Sequence, residues 1–269
     1  VGWFVTLFGL AALGQAVAMG GAWQIQRQTC NAGWVDVVWT MATGLGGMVC
    51  ALAPVPALPG PRQFVVAALA AAWSIRLAAH IAARTFGRPE DVRYARFREE
   101  WGASFQRRMF VFLMIQAAAA ALLTLSMLAA ARNPAPALRL ADWVGIAVLA
   151  TAITGEGLAD GQMRRFRAQM RPGAVCDTGL WGWSRHPNYF FEWLGWCAYP
   201  VMAINLHWWP GWLALTGPAL MFWLLRYVSG VPPLEEAMLR SRGAVFADYQ
   251  RRVSAFFPLP PRRQERIPL

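Results

Sequence analysis

Residues 109–131 read MFVFLMIQAAAAALLTLSMLAAA, a run without a charge in which only Gln116, Thr124 and Ser126 are polar. A helix of about 20 such residues crosses the hydrocarbon of a bilayer, so the stretch reads as a transmembrane helix. Arg107 and Arg108 stand at one end of it and Arg132 at the other. Outward from it, six more runs of the same kind lie near residues 2–23, 34–56, 63–83, 141–160, 189–205 and 208–228. The last two are separated only by Asn205, Leu206 and His207, which predicts a tight helical hairpin. The fold class expected is an all-α integral membrane protein with seven transmembrane helices, a single membrane domain over residues 1–269.

Composition agrees with a lipid solvent. Of the 269 residues 57% are hydrophobic and 14% charged, a balance outside that of soluble domains. All 25 basic residues are arginine and the formal net charge is +11, which the positive-inside rule and a GC-rich genome account for. The arginines form no stripe on a soluble face and accompany no nucleic-acid fold, so nucleic acid is not an expected partner. Cys30, Cys50, Cys176 and Cys197 show no metal spacing and read as free thiols. Three histidines are too few for a histidine-rich di-iron site, and no metal is expected. The first apolar segment is longer than a signal core and lacks a basic flank, so a cleaved signal peptide is not expected.

Arginine asymmetry sets the direction. Arg84, Arg88, Arg93, Arg96, Arg98, Arg107 and Arg108 fill the connection between the third and fourth runs, and Arg164, Arg165, Arg167, Arg171 and Arg185 that between the fifth and sixth. Both connections are expected in the cytoplasm. The alternate ones hold only Arg62, or Arg132 and Arg139. That places the amino terminus outside and the carboxyl terminus in the cytoplasm. Proline-rich pieces at residues 53–61 and 258–262 read as turns and a tail at membrane ends.

Ionisable side chains inside membrane spans cost about 2.5–3.5 kcal/mol each on insertion scales, and each marks a functional position by default. Asp36, Arg76, His80, Glu156, Asp160, Glu192 and Arg226 are such positions. Glu156 and Asp160 are four apart, as are Arg76, His80 and Arg84, and Asn188 and Glu192, so each set shares a helix face. The economical reading is one polar cavity opening to the cytoplasm. Arginines supply forked donors for phosphates, and carboxylates and amides suit ribose, amide and adenine edges. No glycine-rich nucleotide fingerprint is present; Gly44, Gly46 and Gly47 lie in an apolar run and read as close helix packing.

Residues 179–193, GLWGWSRHPNYFFEW, resemble the signature of the steroid 5-alpha-reductase family of membrane proteins, including bacterial members carried as domain of unknown function 1295. The resemblance runs from about Asn31 to Pro258. The spacing of Glu156, Asp160 and Arg167 resembles that of an acid or amide, an acid and an arginine around the family's cofactor. The Arg76, His80, Arg84 face with Gly87-Arg88-Pro89, and Leu225-Arg226 with Glu235, Glu236, Asp248 and Tyr249, resemble its third span and carboxyl end. The resemblance implies seven spans in a bacterial inner (cytoplasmic) membrane. It also implies NADPH as cofactor, held by Arg76, His80, Arg84, Glu156, Asp160, Arg167, Asn188, Glu192 and Arg226, with Arg88 and Arg185 as further phosphate contacts. The implied activity is reduction of the conjugated C=C bond of a 3-oxo-4-ene steroid or related enone lipid. Hydride goes to the β carbon while a donor stabilises the enolate. Substrate and membrane lipid are the partners implied, and no protein partner is required.

Relatives place a glutamate and a tyrosine at the substrate carbonyl. By register Asp36 and Trp73 stand there, so Asp36 is expected to be protonated or to act through water, while the Trp73 indole donates a hydrogen bond only. A second resemblance competes. Arg-His-Pro-x-Tyr with a later Glu-Glu pair is similar to the isoprenylcysteine and phospholipid methyltransferases, which bind S-adenosylmethionine. Asn188 with Glu192, and Phe190 and Phe191 where those enzymes have glycine, favour the reductase.

Overall fold

The computed structural model describes residues 2–169 and 173–262, so Arg171 lies outside the described residues. Nine α-helices are described: α1 (Gly2–Thr29), α2 (Gly33–Leu52), α3 (Pro61–Thr85), α4 (Val92–Trp101), α5 (Phe105–Ala131), α6 (Leu140–Gln169), α7 (Pro187–Ala203), α8 (Thr216–Trp223) and α9 (Val231–Arg252). No strand forms among the described residues, only two isolated bridges. Helices α1, α2, α3 and α6, and the stretch Arg93–Ala131 that contains α5, are long and apolar enough to cross a membrane. Five of the seven apolar runs therefore find a helix of that length. The polar ends of α1 and α6 continue past the predicted boundaries, because the helical hydrogen-bond ladder does not stop where apolarity does.

The last two runs form shorter helices. Helix α7 has 17 residues with Pro200 inside it. The following run is divided into a 3-10 stretch Trp209–Leu215, the eight residues of α8, and a π-helical stretch Leu224–Val228. Pro210 and Pro218 deny this run two backbone donors. A tight turn stands where the hairpin was predicted: the Trp208 amide donates to Asn205 O at 3.0 Å and the His207 amide to Asn205 Oδ1 at 3.0 Å.

The chain divides into two compact units, Val1–Gly145 with Tyr199–Gly217, and Ile146–Ala198 with Pro218–Leu269. In the first unit the glycines do what their spacing predicts. A Cβ on Gly44 would stand 2.1 Å from Ser74 Oγ of α3, and one on Gly47 2.1 Å from Met127 Sδ of α5. Met19, Val35, Tyr94, Met109 and Leu113 form a buried core of this unit. Gln15 braces it, donating to Ala42 O at 2.9 Å.

The sequence reading treats Arg62, Arg132 and Arg139 as charges of the connections; the structure turns all three onto backbone carbonyls. Arg62, 4% exposed, pairs two-pronged with the fully buried Asp142 at 3.1 and 2.9 Å and donates to Asn133 O at 3.0 Å. Arg132 donates to Cys50 O, Ala53 O and Val55 O, capping the end of α2. Arg139 and Asn133 donate to carbonyls of Met202, Ala203 and Ile204 at the end of α7. The last four carbonyls of a helix lack intrahelical donors; Arg132 supplies one at the end of α2 and Arg139 and Asn133 do so at the end of α7, while Arg62 serves the loop after α5.

In the second unit α6 packs on α7. A Cβ on Gly155 would meet the Phe191 ring at 2.4 Å, and one on Gly195 would meet Leu149 at 3.1 Å and Ala152 at 3.4 Å. Beyond α9 the tail folds back onto the signature segment: Ser184 and Ser254 form a parallel bridge, and the Leu259 amide donates to Trp183 O at 3.0 Å. Phe190, Trp193, Phe222, Phe256 and Phe257 cluster edge to face where it lands.

Candidate functional site

Six of the predicted site residues fall in the first unit and seven in the second. On α3 of the first unit, Arg76 and His80 are half-buried and Arg84 exposed, with Trp73 buried one turn earlier at 3% exposure. Arg88 is exposed just past the helix end.

Asp36, in the first turn of α2, has both carboxylate oxygens occupied. Oδ1 accepts from the Tyr94 hydroxyl at 2.7 Å and Oδ2 from Arg93 Nη2 at 2.8 Å. Arg93 also meets Asp91, which caps α4 by accepting from the Arg93 amide at 3.0 Å. Burial pushes the Asp91 carboxyl up, but bonds and charge from Arg93, with the charge of Arg84, hold it below the usual carboxylate range. The sequence reading requires Asp36 to be protonated or to act through water. In the structure its two carboxyl oxygens face Tyr94 and Arg93. The donor beside it is Tyr94, 2% exposed on α4. The sequence reading missed Tyr94, although Tyr94, Phe97 and Trp101 keep the spacing of one helical face.

In the second unit, Leu149, Ala152, Glu156 and Ala159 make the buried stripe of α6. Glu156, 7% exposed, follows the glycine that lets α7 approach. Asp160 is half-buried one turn on and Arg167 is exposed. On α7, Glu192 is also 7% exposed and accepts from the Trp196 indole at 2.9 Å, with Asn188 half-buried one turn earlier. Arg226 sits half-buried in the π-helical stretch.

The Arg-His pair of the signature performs a different task from the one predicted for Arg185. The Arg185 guanidinium meets Glu235 at 2.7 and 3.1 Å and donates to the carbonyls of Gln250 and Val253. All three of its nitrogens are held by α9 and the chain just after it, so Arg185 braces α9. His186 Nε2 meets the same Glu235 at 3.0 Å, and Gln250 Nε2 donates to Glu235 at 2.7 Å. Burial pushes the Glu235 carboxyl up, yet these donors and the Arg185 charge hold it at about 2. Burial pushes His186 down, against Glu235, and the charges of Arg185 and Arg226 push it further, so the imidazole is neutral. With Nε2 donating to Glu235, the buried Nδ1 is an acceptor, and it has no hydrogen-bond partner among the described residues. The sequence reading did not assign His186, though it is the central residue of the signature.

The family model for DUF1295, described as a protein of unknown function, matches residues 22–253. The chain belongs to the DUF1295 family. No curated protein and no solved structure matches it. The DUF1295 match covers both units, including the Asp36–Tyr94 pair and the Arg185–His186–Glu235 brace.

Proposed function

We propose that this DUF1295 chain is a membrane reductase of the steroid 5-alpha-reductase type. It saturates the conjugated C=C bond of an enone lipid such as a 3-oxo-4-ene steroid, in the cytoplasmic membrane of a bacterium. In this reading α1, α2, α3, α5, α6, α7 and the run containing α8 are seven spans of one membrane domain, with the amino terminus outside. The inward capping of Arg62, Arg132 and Arg139 supports that direction, because it leaves the loose arginines concentrated in the two connections read as cytoplasmic.

The observation that carries the reading is the unpaired acceptor of His186, with Arg226 close enough to bias its titration. A buried acceptor without a donor is costly, and a ribose hydroxyl or carboxamide N–H satisfies it. The donor set fits NADPH: Asn188, Glu192, Glu156 and Asp160 for hydroxyl and amide groups, Arg226 and Arg167 for phosphate. Arg76, His80, Arg84 and Arg88 are carried as further cofactor contacts on the resemblance alone. NADPH supplies the hydride when bound. In the first unit Asp36 holds the Tyr94 hydroxyl until substrate enters; Tyr94 then leaves Asp36 and donates its one O–H to the developing enolate, and buried Trp73 positions the substrate.

Purified protein incubated with NADPH and progesterone, with the saturated product measured by mass spectrometry, tests the activity. Tyr94→Phe is expected to abolish turnover, with Asp36→Asn retaining more than Asp36→Ala and NADPH affinity little changed in all three. Glu192→Ala and Asp160→Ala are expected to weaken NADPH binding in a folded protein; wild-type affinity in both would remove the second-unit site.

One observation favours a second reading, an S-adenosylmethionine-dependent methyltransferase. His186 and Glu235 join the Arg-His-Pro motif and the Glu-Glu pair in one cluster. Gentle purification followed by mass spectrometry of the released small molecule separates the readings: NADP(H) for the first, S-adenosylmethionine or its demethylated product for the second.

A further inference from the structure

At the end of α1 and the start of α5 the first unit has an open cleft of about 590 Å³, lined by Trp23, Gln106, Arg107, Phe110 and Val111. Its walls are fixed. The Trp23 indole donates to Gln106 O at 3.1 Å, Phe110 meets the Trp23 ring edge to face at 5.4 Å, and Gln26 donates to Gln106 Oε1 at 2.8 Å. The Arg27 guanidinium lies over the Trp23 ring, 4.7 Å from its centroid. Arg107 lines the cleft, Arg27 covers its Trp23 wall, and Arg108 follows Arg107 in sequence. Below them runs an apolar strip, Phe110 40% exposed, Val111 54% and Ile115 64%.

Among the described residues, no ion pair neutralises the charge there. Of the carboxylates in the neighbouring segments, Asp36 and Asp91 pair with Arg93, Glu90 with Arg98 and Glu100 with Arg96, and exposed Glu99 pairs with no arginine among the described residues. Among the described residues, no ion pair or hydrogen bond holds the guanidinium of Arg107 or Arg108, and that of Arg27 has only the tryptophan face. A basic mouth over an apolar strip on membrane-crossing helices is complementary to one chemistry, an anionic headgroup on an acyl chain.

We propose that this cleft binds an anionic glycerophospholipid, its phosphate between Arg27 and Arg107 and one acyl chain along Trp23, Phe110 and Val111. The proposal rests on the membrane placement of α1 and α5 and is independent of the reductase reading. An arginine beside a membrane surface is worth about a fivefold change in affinity for anionic lipid, so loss of both corresponds to about 25-fold.

The test uses the full chain, delipidated in neutral detergent and titrated with dioleoyl phosphatidylglycerol, with bound lipid counted by native mass spectrometry and helicity followed by circular dichroism. Wild type is expected to retain one phosphatidylglycerol in preference to phosphatidylcholine. Arg27→Gln with Arg107→Gln is expected to weaken it about 25-fold. Arg164→Gln with Arg165→Gln, the same charge loss in the second unit, is expected to leave it unchanged. Val111→Trp, which fills the cleft and keeps both arginines, is expected to weaken it as well. Unchanged affinity in the arginine pair variant or in Val111→Trp, equal retention of phosphatidylcholine, or displacement by inorganic phosphate at equal concentration would each overturn the proposal.

Discussion

At the scale of single residues the chain separates charges that hold the fold from charges left for chemistry. Glu235 is the clearest of the first kind. Its carboxyl is held at about 2, against 4.5 for the ordinary glutamate. A depressed carboxylate contributes stability that is complete above the unfolded value and is lost as pH falls through the folded one, so this contribution, about 3 kcal/mol at most, disappears between pH 4.5 and 2. Neutral His186 acts in the same direction, its contribution being complete above pH 6.5 and lost on acidification below it. Thermal melting in detergent is therefore expected to fall from pH 5 to pH 3. Glu235→Gln, which leaves Arg185 without its partner, is expected to cost about 2–4 kcal/mol at pH 7 and to flatten the melting curve across that acid window. An unchanged melting temperature in the variant would show that the brace is not holding α9. Sequence alone exposed Asp36, Glu156 and Glu192, because a charge in an apolar run is conspicuous. It hid Tyr94 and the roles of Arg185 and His186, because a residue's partners 50 to 60 positions away leave no mark in its own surroundings.

Among elements, the apolar runs were legible because about 20 consecutive apolar residues suit a membrane helix, which satisfies its whole backbone within one segment. Their interior breaks were less so. Prolines at 200, 210 and 218 give warning of irregularity, but not of a 3-10 stretch before α8 and a π stretch after it. Short α4 escaped notice inside an arginine-rich connection, where charge masked its aromatic face. Helix packing gives a paired prediction. Gly155 has the Phe191 ring against it, whereas Gly157, one turn face away on α6, has nothing within 4 Å. Gly155→Ala is expected to cost about 1–3 kcal/mol through overpacking, and Gly157→Ala to be neutral or to stabilise by up to about 1 kcal/mol through helix propensity. Chemical or thermal unfolding of the two variants checks this; equal effects would mean that α6 and α7 are not closely packed there.

For the whole molecule, direction in the membrane is the property most open to test. Cys30 is exposed at the end of α1, while Cys50 and Cys176 are buried. An impermeant maleimide is expected to label Cys30 in inside-out vesicles and not in intact spheroplasts, and a cysteine placed at His207 in a Cys30→Ser background is expected to give the reverse. The opposite pattern would invert the topology. The capping of Arg62 and Arg132 also has a consequence in the order of synthesis. Arg132 finds its carbonyls on α2, made long before it, so that cap closes as soon as α5 is complete. Arg62 has to wait 80 residues for Asp142, and Arg139 waits for the end of α7. A nascent chain halted after α5 therefore carries a finished lock at one connection and an uncompensated guanidinium at its neighbour, and only the arrival of α6 lets that charge leave water.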